Sequence, residues 1–442
     1  MKYLILMRPI YFFLKQGVCI MNILLVGCTG FLGKSIIHRL LTRTNHTLFL
    51  AIRPKHNATI EQRTHSIMEE FKLLEHQHRL IPVKIEYNEE RKINISVDDK
   101  SKLLKDVQIV INALADVKFN RPLKKAVLNN TITALEWMDF LKLCDDPKKY
   151  IYVSSAYVNF DLKNEGVIEE KIYEENMGEK NLIEILSDEQ TTFHPYTNTY
   201  LYSKQLAEIL LLQRRAGVML HIIRPSTIIP AVKYPYAGWG TIQTLNFIFF
   251  GIATGLVPYW NINVDDVYRY HINTIPVDIA AKDCVQCIEE KKELLIRHSC
   301  FTGNNKFALS YKLFYMLTLT AYQYYQRHPI VLHEKKFRPY YPFYIKDLSY
   351  LRVLWLLLFY IVHCGRSDNK FLKTIKASYR LTKNFNRYMP TFVCKKLVFH
   401  RSDKKQWFYK NFNVEKAYLT FIRNIEQYIK GNTELMKILD LS

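Results

Sequence analysis

The sequence predicts an α/β fold, a doubly wound parallel sheet followed by a mostly α-helical C-terminal domain, on three observations. Short apolar runs alternate with helix-like stretches from residue 22 to about 300, the order that builds βαβ units. The first run, Ile23-Leu24-Leu25-Val26, passes directly into a glycine-spaced turn, Gly27-Cys28-Thr29-Gly30-Phe31-Leu32-Gly33. After Thr302-Gly303-Asn304-Asn305 the alternation stops, and long aromatic, basic helical stretches take over. The chain therefore divides into an extension (1–21), a sheet domain (22–305) and a helical domain (306–442).

Each element has its reason. Ile23 to Val26 is continuous in apolar residues because a parallel strand is covered on both faces. From Lys34 to Leu41 the pattern turns helical, with Ile36, Ile37, Leu40 and Leu41 on one side. A Rossmann-type strand, glycine turn and helix start place backbone N–H groups and a positive helix end beneath a pyrophosphate. Gly27 permits the tight turn, Gly30 lets phosphates approach, and Gly33 lets helix and strand pack closely. Thr29, Phe31 and Leu32 complete the expected cradle. The spacing is G-x-x-G-x-x-G, which departs from the generic G-x-G-x-x-G fingerprint.

The second apolar run, Leu48-Phe49-Leu50-Ala51-Ile52, leads into Arg53-Pro54-Lys55. At this strand end an acidic residue accepts from a free ribose 2′-hydroxyl, whereas an arginine accommodates a 2′-phosphate. Arg53 thus predicts NADPH over NADH. Val107-Gln108-Ile109-Val110-Ile111 is a strand leading into Asn112-Ala113-Leu114-Ala115, which puts Ala113 at the cofactor. Tyr150-Ile151-Tyr152-Val153 ends at Ser154 and Ser155, and His221-Ile222-Ile223 at Arg224-Pro225-Ser226, with Pro225 also a cofactor contact. Ligands of such sheets bind beyond the carboxyl ends of the strands.

Carbonyl reduction needs a hydride donor, a proton donor and a dipole on the oxygen. Tyr200 and Lys204 stand one helical turn apart in a helix-like stretch to Leu212, so they share a face. A nearby ammonium favours phenolate, which predicts a lowered Tyr200 pKa. Lys204 can also bond the nicotinamide ribose. Ser155 is expected to donate to the substrate oxygen, and Asn130, on the helix after the fourth strand, to hold a water in a proton path. The order of cradle, Arg53, Asn130, Ser155, Tyr200 and Lys204 gives the set its weight.

Charge and composition bound the partners. The 442 residues carry a net charge of +21, from 62 Lys and Arg against 41 Asp and Glu, which suits phosphorylated ligands or an anionic membrane face. The basic residues are dispersed and form no nucleic-acid module. Eight cysteines lack a disulfide framework, and Cys284-Val285-Gln286-Cys287 reads as two packed thiols, since no metal-spaced partner accompanies it. No metal is expected. Val353 to Val362 is too short to span a bilayer and reads either as a core helix or as an interfacial segment. The final Leu439-Asp440-Leu441-Ser442 is no peroxisomal address.

These motifs resemble the fatty acyl-coenzyme A reductases of the extended short-chain dehydrogenase/reductase superfamily. Val26 to Leu41 and Arg53-Pro54-Lys55 are similar to that family's first turn and second strand end. So are Asp116 to Leu123, Val153 to Tyr157 and Tyr200 to Lys204. The more diagnostic matches are Arg224-Pro225-Ser226 and Pro235-Tyr236-Ala237-Gly238-Trp239, and Pro276-Val277-Asp278 also fits. Trp407 to Asn411 and Asn424 to Tyr428 resemble shortened closing motifs, with Gln427 where the family carries tryptophan and Glu86 in the region where an aspartate meets adenine. The resemblance implies two successive NADPH reductions of a long-chain acyl-CoA, with loss of coenzyme A and passage through the aldehyde to a primary alcohol. It also implies a membrane surface as partner, at the endoplasmic reticulum or alternatively the peroxisome, with the site facing the cytosol. A reductase acting on a sterol or another alcohol–ketone pair, and a non-catalytic NADPH-binding membrane protein, remain open alternatives.

Overall fold

Successive residues of the first apolar run go to opposite sides of one sheet. Ile23 and Leu25 join a core with Ile36, Leu40 and Ala280, whereas Leu24 and Val26 join one with Trp137 and Leu206. All four are fully buried, which accounts for a run without a polar position. The computed structural model describes residues 20–54, 58–118, 121–162, 166–173, 177–187, 198–242, 245–254, 259–260, 271–300, 309–332, 335–337, 343–344, 393–394, 397–399 and 413–430. The sequence-read segments 1–19, Lys55, Val353 to Val362 and Trp407 to Asn411 lie outside them.

Seven strands form the central sheet: β1 (Asn22–Val26), β2 (Thr47–Ile52), β3 (Leu80–Lys84), β4 (Ile109–Asn112), β5 (Lys149–Val153), β6 (Met219–Pro225) and β7 (Leu294–Ser299). Their order is β3-β2-β1-β4-β5-β6-β7, and every pairing is parallel. The chain reverses its direction of travel between β1 and β4, which opens a crevice at their carboxyl ends. The fold class is the one expected. The sequence reading named five of these strands and passed over the edge strands β3 and β7, whose exposed or polar residues interrupt the apolar run.

Helices cover both faces. The first, Phe31–Arg43, packs beside Val277–Gln286 on one face. Thr133–Lys142 and Thr199–Arg214 lie on the other. Cys284 in Val277–Gln286 and Cys287 at its C-cap are both buried free thiols, and Cys287 Sγ donates to the Asp283 carbonyl at 3.3 Å. They are packing residues, as read.

A third core unites Asn246–Thr254, Tyr311–Arg327, Val414–Arg423 and Ile425–Lys430. It draws residues from both sides of position 305. Phe249 packs edge-on against Phe314 at 5.4 Å and tilted against Tyr418 at 5.3 Å, and the Tyr325 hydroxyl donates to the Ile422 carbonyl. Short strands also occur in this part, such as Ile330–Leu332 paired with Lys335–Phe337. Among the described residues no helix is long and apolar enough to cross a membrane.

Candidate active site

The turn after β1 is shaped by what presses on it. Gly27 has φ +80°, and a Cβ there would stand 2.7 Å from the Ala113 carbonyl carbon and the Leu114 nitrogen. Ala113 is held in place by its N–H, which donates to the Val26 carbonyl at 2.9 Å. A Cβ on Gly33 would stand 2.2 Å from the Gly27 oxygen, so the first helix sits directly on the turn. Gly30 differs: its nearest obstacle would be the Gly27 oxygen at 3.3 Å, and it is exposed. It is the helix N-cap, with no side-chain cap and no acidic residue in the first turn. The leading N–H groups are thus left without an internal anion, the arrangement that takes a phosphate.

A cavity of about 300 Å³ opens at this point. Of the residues expected from sequence, Gly30, Phe31, Leu32, Gly33 and Ala113 line it, and so do Ser155, Tyr200, Lys204 and Pro225. Four strand ends and two helices therefore converge on one space. Gly27 and Thr29 lie in the turn itself. Arg53 is exposed at the end of β2. Asn130 is buried beneath the Tyr200 helix and does not line the cavity.

The helix Thr199–Arg214 starts at Asn198, whose Oδ1 accepts from the Leu201 N–H at 2.8 Å. It is tied to β6 by a fully buried ion pair: Arg224 Nη2 meets Glu208 Oε2 at 2.6 Å, and Nε meets Oε1 at 3.0 Å. Lys204 Nζ donates to the carbonyls of Val153 at 2.8 Å and Leu114 at 3.3 Å, and lies 4.6 Å from the Tyr152 ring centre. Burial pushes its pKa down to about 7, while the Glu208 carboxylate raises it.

Two expectations need correction here. Tyr200 was expected to be pulled toward phenolate by Lys204. Instead its pKa is raised, because burial disfavours the anion and the lysine's ammonium is turned to main-chain carbonyls. Asn130 was expected to hold a water, yet its amide is engaged: Oδ1 accepts from the Asp116 N–H at 2.8 Å, and Nδ2 donates to Ser203 Oγ at 2.9 Å and to the Asp116 carbonyl at 3.2 Å. Ser203 Oγ in turn donates to the Tyr200 carbonyl at 2.8 Å. Asn130 thereby fixes the segment after β4 to the helix that carries Tyr200.

Other residues were not anticipated. Arg63, half-buried on the helix Ile60–Phe71, donates to the Arg53 carbonyl. Burial lowers its pKa, Cys28 opposes that, and the adjacent Arg53 adds to it. Two guanidinium groups thus share the end of β2, and no residue pattern distinguished Arg63 from a surface charge. Tyr157 also lines the cavity, its hydroxyl donating to the Asn273 carbonyl at 2.9 Å, and its N–H donates to Ser155 Oγ at 3.3 Å. Glu86 is exposed and paired with Lys84 at 3.2 Å. Among the described residues no cluster of His, Cys, Asp and Glu can hold a metal.

The site fits a nicotinamide dinucleotide: an uncapped helix start, a cavity-lining glycine with only the Gly27 oxygen near its Cβ position, and two arginines at the end of β2. Comparison with known proteins points the same way. Residues 25–284 match the family model described as male sterility protein. Fatty acyl-CoA reductase 1 of Xenopus laevis is 26% identical over 308 residues, covering 64% of this chain and 58% of that protein. Fatty acyl-CoA reductase 2 of Homo sapiens is 30% identical over 254 residues, 53% of this chain and 48% of that one. The chain thus spans about half the length of the curated relatives it matches. Among solved structures, the reductase domain of a nonribosomal peptide synthetase from Mycobacterium tuberculosis matches with a TM-score of 0.57 at 17% identity, covering 96% of this chain and 93% of that one. That likeness is one of fold.

Proposed function

The chain belongs to the male sterility protein family, that of the fatty acyl-CoA reductases, and from that premise we propose that it reduces long-chain fatty acyl-CoA with NADPH. The product is the primary alcohol, formed through the aldehyde with release of coenzyme A. The observation that carries this reading is the convergence of Ser155, Tyr200 and Lys204 on the cavity that begins at Gly30.

When bound, NADPH supplies the hydride. The N–H groups after Gly30 would hold its pyrophosphate, and Arg53 and Arg63 would hold its 2′-phosphate, which would relieve their mutual repulsion. No acidic residue at the end of β2 competes for a free 2′-hydroxyl.

The rest is the work of this chain's own groups. Ser155 Oγ holds the thioester oxygen as its carbon becomes tetrahedral. Tyr200 gives its hydroxyl proton to that oxygen. Burial keeps the Tyr200 hydroxyl protonated at neutral pH, so the proton is there to give. Lys204, its pKa lowered by burial to about 7, ties the Tyr200 helix to the end of β5 through the Val153 carbonyl. The hemithioacetal then collapses: its hydroxyl proton passes to the departing sulfur, the C–S electron pair leaves with that sulfur as the coenzyme A thiol, and the aldehyde carbonyl re-forms at Ser155. In the second reduction, with hydride supplied as before, Ser155 would hold the aldehyde oxygen and Tyr200 would give it a proton, which yields the alcohol. The basic surface suits coenzyme A phosphates, and a membrane of the endoplasmic reticulum is the proposed source of the acyl substrate.

The test offers a long-chain acyl-CoA and NADPH to the wild-type chain and to Tyr200→Phe, with lipid products analysed. Primary alcohol from the wild type alone supports the reading. Alcohol–ketone turnover with no thioester reduction contradicts it.

A further inference from the structure

The cavity wall holds a polar group that the reaction described above does not use. Asn198 is 4% exposed and lines the cavity beside Tyr200. Its Oδ1 is committed to the Leu201 N–H at 2.8 Å. Because the carboxamide is planar, fixing Oδ1 also fixes the direction of Nδ2. That nitrogen is buried and has no hydrogen-bond partner among the described residues. Leaving such a group unpaired destabilises the fold.

Helix capping does not explain the cost. Aspartate or serine caps a helix as well as asparagine, and neither would bury an unpaired NH₂ group. Ser154 Oγ and Ser226 Oγ also line the cavity without partners, but a hydroxyl rotates to suit whatever is near it. The amide of Asn198 cannot rotate without losing the cap. It is a fixed donor, two residues ahead of the acid Tyr200.

We propose that Asn198 is a further catalytic residue, its Nδ2–H donating to the oxygen on the reacting carbon of the acyl substrate, beside Ser155 and Tyr200. This rests on the acyl-CoA reductase reading. A donor fixed in advance lowers the cost of building negative charge on that oxygen, because nothing reorganises as the hydride arrives. The same donor serves both reductions, since each passes through an oxyanion on the same carbon.

The test uses Asn198→Asp and Asn198→Ser in the full chain. Both keep an acceptor for the Leu201 N–H and remove the amide donor. Melting temperature, NADPH affinity by nicotinamide fluorescence, and kcat with palmitoyl-CoA and with hexadecanal are measured beside the wild type. NADPH affinity is expected to stay at the wild-type value in both variants, and the melting temperature of Asn198→Ser to rise, because the unpaired NH₂ group is gone. The expected fall in kcat is about a hundredfold on both substrates, the usual loss for one such donor. Wild-type turnover in both variants would overturn the inference and leave Asn198 a cap. Weakened NADPH binding with kcat kept would also overturn it, by giving the amide to the cofactor. A wild-type chain inert toward both substrates would instead sink the functional reading, and the inference with it.

Discussion

The wall of the cavity made by strand ends differs from the loop that closes over its first helix. Gly27, Ala113, Val153 and Pro225 reach the cavity region because each ends or follows a strand of one parallel sheet, and a βαβ chain returns every strand end to the same edge. The loop from Ala231 to Gly240 is held by residues far away in the chain. Asp278 accepts from the N–H groups of Val232, Lys233 and Tyr234 at 3.2, 3.0 and 3.1 Å. Trp239 Nε1 donates to Glu70 at 2.8 Å, and its ring lies 4.9 Å from that of Phe31 on the cavity wall. The Tyr428 hydroxyl accepts from the Gly240 N–H at 3.1 Å and donates to the Gly238 carbonyl at 3.0 Å. Short-range rules thus bring the chemistry together, and long-range packing ties the cradle helix to the C-terminal helices.

The largest effect should come where the first region has no room. Gly33→Ala puts a Cβ 2.2 Å from the Gly27 oxygen and 2.8 Å from Cys28 Cα, against backbone that cannot yield. A loss of about 3 kcal/mol is expected, read as a melting temperature lowered by several degrees. Gly30→Ala sharpens the point. With only the Gly27 oxygen at 3.3 Å, it should melt like the wild type yet bind NADPH more weakly. Equal loss of stability in the two variants would contradict the separate roles.

The second region should yield to smaller changes. Gly238 has φ +86°, and a Cβ there would meet Thr420 Cβ at 2.5 Å, so Gly238→Ala should cost about 2 kcal/mol. Tyr428→Phe removes two hydrogen bonds and should cost about 1–2 kcal/mol. Limited proteolysis of residues 414–430 tells whether the loss is local: both variants should be cleaved there before the sheet unfolds.

A smaller effect separates the regions by pH. His38, on the first helix, and His221, on β6, are both lowered by burial to about 4. The unfolded chain binds those protons near pH 6.5 and the folded one does not. Their contribution is therefore complete above pH 6.5 and is lost as pH falls toward 4. Urea melts at pH 7 and pH 5 should show the drop, and His221→Gln should shrink it.

How much of this was legible in the sequence follows from the same contrast. The buried strands, the turn and the Tyr200–Lys204 spacing could be read, because a strand covered on both faces has to be apolar and a helix turn fixes which side chains meet. Asn198 and Arg63 could not. A capping asparagine looks the same whether or not its amide nitrogen is paired, and Arg63 matters only because the helix Ile60–Phe71 sets it over Arg53. The pKa shift of Tyr200 was misread for a related reason, since spacing along a helix predicts the neighbour but not how far burial outweighs it. Tyr428 and the loop around Gly238 stood out separately as motifs, and nothing in their order said that one clasps the other.

On the proposed function, one cavity reduces the acyl carbon twice. The direct measurement is the ratio of NADPH oxidised to coenzyme A thiol released, with palmitoyl-CoA as sole substrate. Two NADPH per thiol is the predicted result. One NADPH per thiol, with aldehyde accumulating, or NADPH oxidation with no thiol released, would contradict the account.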